Sequence, residues 1–357
     1  MQTAHYIERH KAKGKQMNLR AYGVEKTGAT VKLAKMNLVL NNVRGTITHA
    51  NSYYRDPYDS FGNFDYVMAN PPFNVDDVEL DGVKDQPRFN TYGVPQNKTK
   101  NKKKDAKETV PNANYLWINQ FATALNENGR AALVMANSAS DAGNSEKDIR
   151  IRLIESGIIS QMVTLPSNMF TSVTLPATLW FFDRAKQKKD EILFIDARNI
   201  FTQIDRAHRK FSDEQIRNLG IITRLYQGKT EEYEALLDDY RAKMAEAPEV
   251  SDDEDIMPKS YWQSQIDWLT ERFPDGEYRD VVGLCKAAKI EGEDGIKDQD
   301  YSLNPGRYVG VVIEDDGLTE EEFKEKMRDY YTELSKLNEE AHKLESKIAE
   351  NLKELFA

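Results

Sequence analysis

The tetrapeptide Asn70-Pro71-Pro72-Phe73 carries residue types that could grip an exocyclic amine. The lone pair of an adenine amino group is delocalised into the ring, so a catalyst must accept hydrogen bonds from both of its N–H groups. The Asn70 amide oxygen and the rigidly held Pro71 carbonyl are two fixed acceptors that can stabilise charge developing in a transition state. Phe73 offers a face on which an unstacked base could lie. These residues predict methyl transfer to an amine nitrogen.

The same tetrapeptide could instead be a plain turn, because Asn-Pro is a common turn dipeptide and a double proline can end a strand. Its surroundings favour the catalytic interpretation. Residues 64–69, directly before it, are apolar and strand-like, and strand-like and helix-like segments alternate on both sides. This alternation is typical of a mostly parallel sheet covered by helices, so the predicted fold class is α/β.

The alternation predicts an ordered set of elements up to residue 197. A polar turn separates the last two strands, which predicts a terminal hairpin on a mixed sheet. The sequence beyond them becomes helical and acidic. The expected helices are 3–13, 30–40, 114–125 and 145–156, and the expected strands are 21–25, 46–51, 64–69, 130–137, 158–165, 177–183 and 191–197.

Three polar side chains fall at the ends of predicted strands, namely Glu25, Asn51 and Asn70. In open sheets of this kind, ligands bind at the carboxyl ends of the strands. In complete sheets of this kind, a carboxylate at the end of the second strand ordinarily binds the ribose hydroxyls of an adenosine-containing cofactor, and Glu25 is the candidate for this carboxylate. Glu25 could equally be a solvated acid, because exposed glutamates are common.

Composition narrows the possible functions. A net charge of −10 over 357 residues argues against nonspecific nucleic-acid binding by the chain as a whole. Cys285 stands alone and the five histidines show no helical pair, so neither a disulfide nor a catalytic metal is expected. The sequence has no apolar run of about eighteen residues and no export signal, so we expect a cytoplasmic protein without a membrane span.

A long polar segment, residues 75–111, separates the tetrapeptide from the next predicted helix. Loops of this length inside compact domains are usually functional or disordered. Its lysines could lie along a DNA backbone beside an unstacked base, or they could simply be solvated. They are Lys98, Lys100, Lys102, Lys103, Lys104 and Lys107.

The final segment carries a narrow apolar stripe. Its residues recur at steps of three and four with charges between them, which is typical of a coiled-coil seam. A stripe this narrow favours a partner helix, because a helix packed on its own domain usually has a wider apolar face. The helix could instead fold back on the rest of the chain. The apolar stripe consists of Phe323, Met327, Tyr330, Leu334, Leu337, Ala341, Leu344, Ile348 and Leu352.

In this order, the motifs resemble the modification (M) subunit of type I restriction–modification systems, an S-adenosylmethionine-dependent adenine-N6 DNA methyltransferase. The resemblance extends over nearly the whole chain. It is carried by residues 22–25, 34–38, 51–54, 64–73, 112–117, 129–140, 165–170, 179–182 and 301–308. Residues 201–206 resemble the extension that follows the last strand in the family. The basic residues of this extension, Arg206, Arg209 and Lys210, could touch DNA or only water.

The resemblance implies a Rossmann-like methyltransferase sheet that binds S-adenosyl-L-methionine. Glu25 would contact the ribose, Asn51 the adenine of the cofactor, and Asn70 would face both cofactor and substrate. The target adenine would be flipped from DNA onto Phe73, without a covalent enzyme intermediate. The expected partners are DNA, a specificity (S) subunit docked on the C-terminal helix, and a restriction (R) subunit.

A glycine-rich loop should precede the strand that ends at Glu25, yet no two glycines in the chain stand two residues apart. Compared with the family, we therefore expect an N-terminally truncated chain that lacks the N-terminal domain, the first strand and this loop. Three regions are expected. They are a catalytic domain at 1–197, a helical acidic extension at 198–300, and a closing motif with a coiled-coil-like docking helix at 301–357.

Two other functions are compatible with the residues. Protein-glutamine and RNA-guanine methyltransferases also use an Asn-Pro-Pro-aromatic loop, although residues 303–308 and the apolar stripe argue against them. A different class is a non-catalytic fragment that keeps its docking helix and DNA surface but binds no cofactor. The missing glycine loop favours this second alternative.

Overall fold

The computed structural model describes residues 19–97, 108–170, 174–251, 253, 256–311 and 319–355. The chain divides into two compact units, one extending to Val311 and the other comprising Val312–Ala357. The closing motif, residues 301–308, therefore belongs to the first unit together with the sheet. The helix predicted at residues 3–13 lies outside the described residues.

All the helices and strands predicted between residues 21 and 197 are present, with ends that differ by a few residues. Short 3-10 helices also form at Leu80–Gly82, Asn137–Asp141 and Pro305–Arg307. The elements are β1 (Arg20–Glu25), α1 (Gly28–Leu40), β2 (Arg44–His49), β3 (Phe64–Ala69), α2 (Pro87–Asn90), α3 (Asn114–Thr123), β4 (Leu125–Ala136), α4 (Asn144–Glu155), β5 (Ile159–Thr164), β6 (Ala177–Asp183), β7 (Glu191–Asp196), β8 (Thr202–Gln203), β9 (Arg209–Lys210), α5 (Asp213–Tyr226), α6 (Thr230–Glu246), α7 (Lys259–Arg272), β10 (Cys285–Lys289) and α8 (Glu320–Leu355).

The main sheet has six strands in the order β10-β7-β5-β6-β4-β3. Strand β3 runs parallel to β4, and β5 runs parallel to β7. Because β6 is antiparallel to both β4 and β5, the strands β3, β4, β5 and β7 all point the same way. Their carboxyl ends therefore share one edge of the sheet, which is called the carboxyl edge below.

The predicted hairpin between the last two strands is wrong. Strand β6 pairs with β4 on one side and β5 on the other, so it has no free edge for β7. Strand β7 instead pairs with the far side of β5. The connection at residues 184–190 is long enough to pass one strand, because two strand spacings amount to only about 9.6 Å.

Strands β1 and β2 form a separate parallel pair. Among the described residues, β1 pairs only with β2, and β3 pairs only with β4. The pair packs near the start of β3, where the Tyr22 ring lies 5.8 Å from the Phe64 ring. The Tyr58 hydroxyl donates to the Thr46 carbonyl at 2.9 Å and so fastens the loop before β3 to β2.

The main sheet is buried on both faces at β7, whereas on the edge strand β3 the side chains of Tyr66 and Met68 are 69% and 67% exposed. On β7, Ile192 and Phe194 join one apolar cluster with α3 and α4, and the alternating residues Leu193 and Ile195 join a second with α5, α6 and α7. Successive strand residues point to opposite faces, so helices cover this part of the sheet on both sides. The helical extension predicted after residue 197 thus packs directly on the sheet and shares its core.

The closing motif returns the chain to the sheet. The Tyr308 ring stacks on Phe194, with the ring centroids 3.9 Å apart, and its hydroxyl donates to the Ser302 carbonyl at 2.5 Å. The Leu303 N–H donates to the Ser140 carbonyl at 2.9 Å, directly after β4. These contacts tie a distant segment to the carboxyl edge.

Replacing Tyr308 by Phe is expected to lower the free energy of unfolding by about 1–3 kcal/mol, since the buried Ser302 carbonyl loses its donor. Tyr308→Ala also removes the ring and is expected to cost about 3–5 kcal/mol. Urea unfolding followed by tryptophan fluorescence measures both changes. The control Tyr66→Phe alters a side chain that is 69% exposed and should stay within about 0.5 kcal/mol of wild type. Equal unfolding midpoints for Tyr308→Phe and wild type would contradict this assignment.

Candidate active site

The predicted catalytic loop leaves β3 at the carboxyl edge. Asn70 is exposed, Pro71 is buried, Pro72 is exposed, and Phe73 is partly buried against the core below α3 and α4. The Asn70 side chain makes no hydrogen bond to any other described residue. Its amide is therefore free to bind a ligand, while the buried Pro71 ring fixes the backbone that carries the neighbouring carbonyl.

Hydrogen bonds among three asparagines hold the loop in place. The Asn74 N–H donates to the Asn114 amide oxygen at 2.9 Å, and the Asn114 amide nitrogen donates back to the Asn74 side-chain oxygen at 2.9 Å. The Asn112 amide nitrogen donates to the same Asn74 oxygen at 3.1 Å. Asn114 is only 3% exposed, so its two bonds to Asn74 are partly shielded from water, whereas the Asn112 bond is exposed. They fasten the residue after Phe73 to the first turn of α3.

The backbone of Asn74 explains why an asparagine stands there. Its φ is +56°, in the left-handed region that most side chains avoid and asparagine tolerates. This conformation turns the chain sharply after Phe73. The tetrapeptide is therefore followed by a turn that is itself held by side-chain bonds.

The turn after β2 also contacts α3. The Trp117 indole donates to the Tyr53 hydroxyl at 2.8 Å. Trp117 lies three residues after Asn114, so both contacts use one face of α3. Burial raises the pKa of Tyr53 to about 12, so its hydroxyl stays protonated at neutral pH. Helix α3 thus brings the turn after β2 and the catalytic loop together.

Glu25 ends β1, as the sequence predicted. One carboxylate oxygen accepts the Thr27 N–H at 2.7 Å, which orients the group. The other oxygen has no hydrogen-bond partner among the described residues. The side chain is only partly buried, so this oxygen can accept from a ligand hydroxyl.

Asn51 stands two residues beyond β2 and shapes the next turn. Its side-chain oxygen accepts the Tyr53 N–H at 3.0 Å, and its carbonyl accepts the Tyr54 N–H at 3.1 Å. Among the described residues, the Asn51 amide nitrogen has no acceptor. The arrangement leaves one N–H donor directed by a fixed turn, which is the group needed to meet a ring nitrogen of a base.

The segment after the loop is better organised than a polar loop would be. Residues 75–97 and 108–113 enclose a small apolar cluster that includes Val78, Phe89 and Val110, each at most 2% exposed. The Val110 N–H donates to the Val78 carbonyl at 2.9 Å, which closes the segment on itself. The six predicted DNA-binding lysines, between 98 and 107, lie outside the described residues.

Sequence reasoning missed the supporting residues Asn74, Asn114 and Trp117. The spacing Asn112-x-Asn114 just before a helix was a usable signal, because asparagines at helix starts usually bond to nearby backbone. The partner Asn74 could not be identified in the same way, since it lies 40 residues away.

No group of histidine, cysteine and acidic side chains that could hold a metal occurs in the described part of the chain. Within the same residues, no helix is both long and apolar enough to cross a membrane.

The chain matches the family described as N-6 DNA Methylase over residues 1–268. This match covers well over half of the chain, and the chain belongs to this family.

Its relatives include methylase subunits of type I restriction enzymes. The chain is 33% identical over 353 residues to the MjaIX methylase subunit of Methanocaldococcus jannaschii, covering 97% of this chain and 52% of that protein. It is 31% identical over 355 residues to the HindI methylase subunit of Haemophilus influenzae, covering 99% and 65%. The chain thus spans about half to two thirds of these relatives, and the resemblance found in the sequence is confirmed.

A solved structure supports the fold assignment. The type I restriction-modification system methyltransferase subunit from Streptococcus thermophilus aligns with a TM-score of 0.56 at 23% identity. The alignment covers 81% of this chain and 48% of that chain. The predicted Rossmann-like α/β fold is confirmed.

Replacing Asn114 by Ala is expected to loosen the catalytic loop. The Asn74 N–H and side-chain oxygen both lose a partner, so we expect a loss of about 1–3 kcal/mol in stability. Amide hydrogen exchange over residues 70–75 should accelerate more than exchange in β5. Asn112→Ala removes a more exposed bond to the same oxygen and serves as the milder control. Unchanged exchange in the loop of Asn114→Ala would show that the asparagine contacts do not hold it.

Proposed function

We propose that the chain methylates the N6 atom of adenine in DNA as the modification subunit of a type I restriction–modification complex. The observation that carries the proposal is the free Asn70 amide at the carboxyl edge. Next to it lies the carbonyl of Pro71, a residue whose ring is buried. The family match and the methylase-subunit relatives support the same reaction.

The target adenine would leave the duplex and stack on Phe73. The Asn70 side-chain oxygen and the Pro71 carbonyl would each accept one N–H of the exocyclic amine. Two fixed acceptors withdraw the protons from the ring plane, so the nitrogen lone pair becomes available for attack. The adenine nitrogen would take the methyl carbon as the bond from that carbon to the donor sulfur breaks, and the methylated amine would then lose a proton to water.

When bound, S-adenosyl-L-methionine supplies the electrophilic methyl group. The free oxygen of Glu25 suits the ribose hydroxyls, and the free amide nitrogen of Asn51 suits a ring nitrogen of the cofactor adenine. Both groups have one atom already fixed by the local turn, so binding would cost little side-chain ordering. Asn70 would complete the pocket between cofactor and substrate, within a catalytic domain of residues 1–197.

Asn70→Ala should lower the methylation rate by about a hundredfold or more, because one of two transition-state acceptors is lost. The assay uses the chain reconstituted with its specificity subunit and measures N6-methyladenine by mass spectrometry. Duplex affinity should change little, since the acceptor engages only the flipped base.

The matched control is Asn63→Ala, which changes an exposed asparagine directly before β3 whose amide donates to the Asp59 carbonyl at 3.3 Å. It should retain the wild-type rate. A rate for Asn70→Ala within threefold of wild type would mean that the loop does not perform the proposed chemistry.

Helix α8 is the proposed docking element for the specificity subunit. Thr319 and Glu322 form a reciprocal cap at its start, which fixes where the helix begins. The eight large side chains of the apolar stripe are 49–61% exposed. A continuous exposed stripe of this kind favours burial against a partner helix. DNA and a restriction subunit are the other proposed partners, with the lysines between 98 and 107 as proposed DNA contacts.

Leu334→Lys combined with Leu337→Lys is expected to abolish specificity-subunit binding in a pull-down. The two substitutions place charges in the apolar stripe, and burying an unpaired charge in an interface is costly. The control Thr332→Lys with Glu339→Gln makes the same charge change on the opposite face of α8 and should bind normally. Normal binding by the Leu334/Leu337 variant would exclude the apolar stripe as the docking surface.

A further inference from the structure

We propose that the hairpin formed by β8 and β9, residues 202–210, is a second contact for the DNA backbone. It would bind phosphates several nucleotides from the flipped base. This proposal rests on the proposed function and adds a site of its own, far along the carboxyl edge from Asn70.

Arg209 anchors the hairpin to the carboxyl edge. Its N–H donates to the Asn168 carbonyl at 2.9 Å, and its guanidinium donates to the Ser167 hydroxyl at 3.1 Å. The same guanidinium lies 3.9 Å from the centre of the Phe201 ring. Residues 167 and 168 belong to the loop that follows β5, so a strand-end loop and the hairpin are locked together. The Arg209 side chain thus holds the hairpin in place and is not counted among the proposed phosphate contacts.

The tip of the hairpin is folded around Asp205. Its carboxylate accepts the N–H groups of Ala207 at 2.7 Å and His208 at 2.9 Å. The His208 ring lies 2.8 Å from the same carboxylate. These bonds lower the pKa of Asp205. The carboxylate is therefore charged at neutral pH and can keep accepting the hydrogen bonds that form the turn. Asp205 is therefore engaged within the turn.

Two cations on the hairpin have no such partner. Arg206 and Lys210 are exposed, and neither forms an ion pair with any described residue. The nearest acids along the chain after them are Asp213 and Glu214, at the start of α5, and Glu214 accepts the Tyr261 hydroxyl at 2.9 Å. The anchored hairpin therefore presents two positive charges, without an ion pair to any described residue, at an edge where four parallel strands end.

The spacing of the sheet matches the spacing of phosphates. From β3 the order runs through β4 and β6 to β5 and then β7, which is three to four strand spacings. With about 4.8 Å between neighbouring strands, the strand ends of β5 and β7, from which the hairpin is held, lie about 14–19 Å from β3. Phosphates on one strand of duplex DNA are about 3.4 Å apart along the axis, so this distance corresponds to about four to six nucleotides. A duplex laid along the carboxyl edge reaches both sites.

The test measures duplex binding by the whole 357-residue chain across a range of salt concentrations, using fluorescence anisotropy of a short labelled duplex without methyl donor. Each phosphate contact contributes about 0.9 to the slope of log affinity against log salt. Arg206→Ala with Lys210→Ala should therefore reduce the slope by about 1.8. The charge-preserving pair Arg206→Lys with Lys210→Arg should keep the wild-type slope.

The matched control is Arg184→Ala with Lys189→Ala. It removes the same two residue types from exposed positions in the turn between β6 and β7, at the opposite edge of the sheet. The control should bind as wild type does. An equal loss in the control would mean that only net charge matters and would overturn the proposal.

A wild-type slope in the Arg206/Lys210 variant would also overturn the proposal, as would a wild-type chain that does not bind duplex at low salt. Loss of specificity-subunit binding with an unchanged slope would make the hairpin a protein contact instead. The outcome is independent of catalysis, because no methyl donor is present. Asn70→Ala should retain the full slope, so failure of the proposed reaction and failure of this site are distinguishable.

Discussion

The hydrogen bonds between Asn74 and Asn114 are the constraint on which the candidate site depends. An asparagine amide beside a proline carbonyl can act on an amine only if the backbone that presents them stays in one place. Strand β3 fixes the start of the loop, and the asparagine contacts fix its end on α3. Because Trp117 on the same helix holds the turn after β2, one buried element sets the position of both ligand-facing segments.

The features that sequence predicted well were local. Strands and helices between residues 21 and 197 follow from apolar patterning, and Glu25 and Asn70 lie at strand ends because a strand end is a property of neighbouring residues. Strand pairing was not local. The polar turn at 184–190 looks like a hairpin connection, but β6 already pairs with β4 on one side and with β5 on the other. The order of the strands depends on the pairing of all the strands in the sheet.

Long-range support explains the remaining gaps in the prediction. Tyr308 stacks on Phe194, more than a hundred residues earlier, and the Leu303 N–H bonds to the Ser140 carbonyl across an even longer separation. Neither contact leaves a periodic trace in the sequence. The closing motif could be recognised as a family feature, yet its physical role as a brace for the carboxyl edge became visible only through these contacts.

Strand β3, which carries the catalytic loop, pairs with only one neighbour among the described residues, and Glu25 ends a strand of the separate β1–β2 pair. A ligand that touches both Glu25 and Asn70 would therefore bridge two sheets that share no strand pairing. Any freedom between the two sheets that the first ligand removes is not removed again by the second. We expect donor and base to bind with positive cooperativity, and linkage makes such coupling reciprocal.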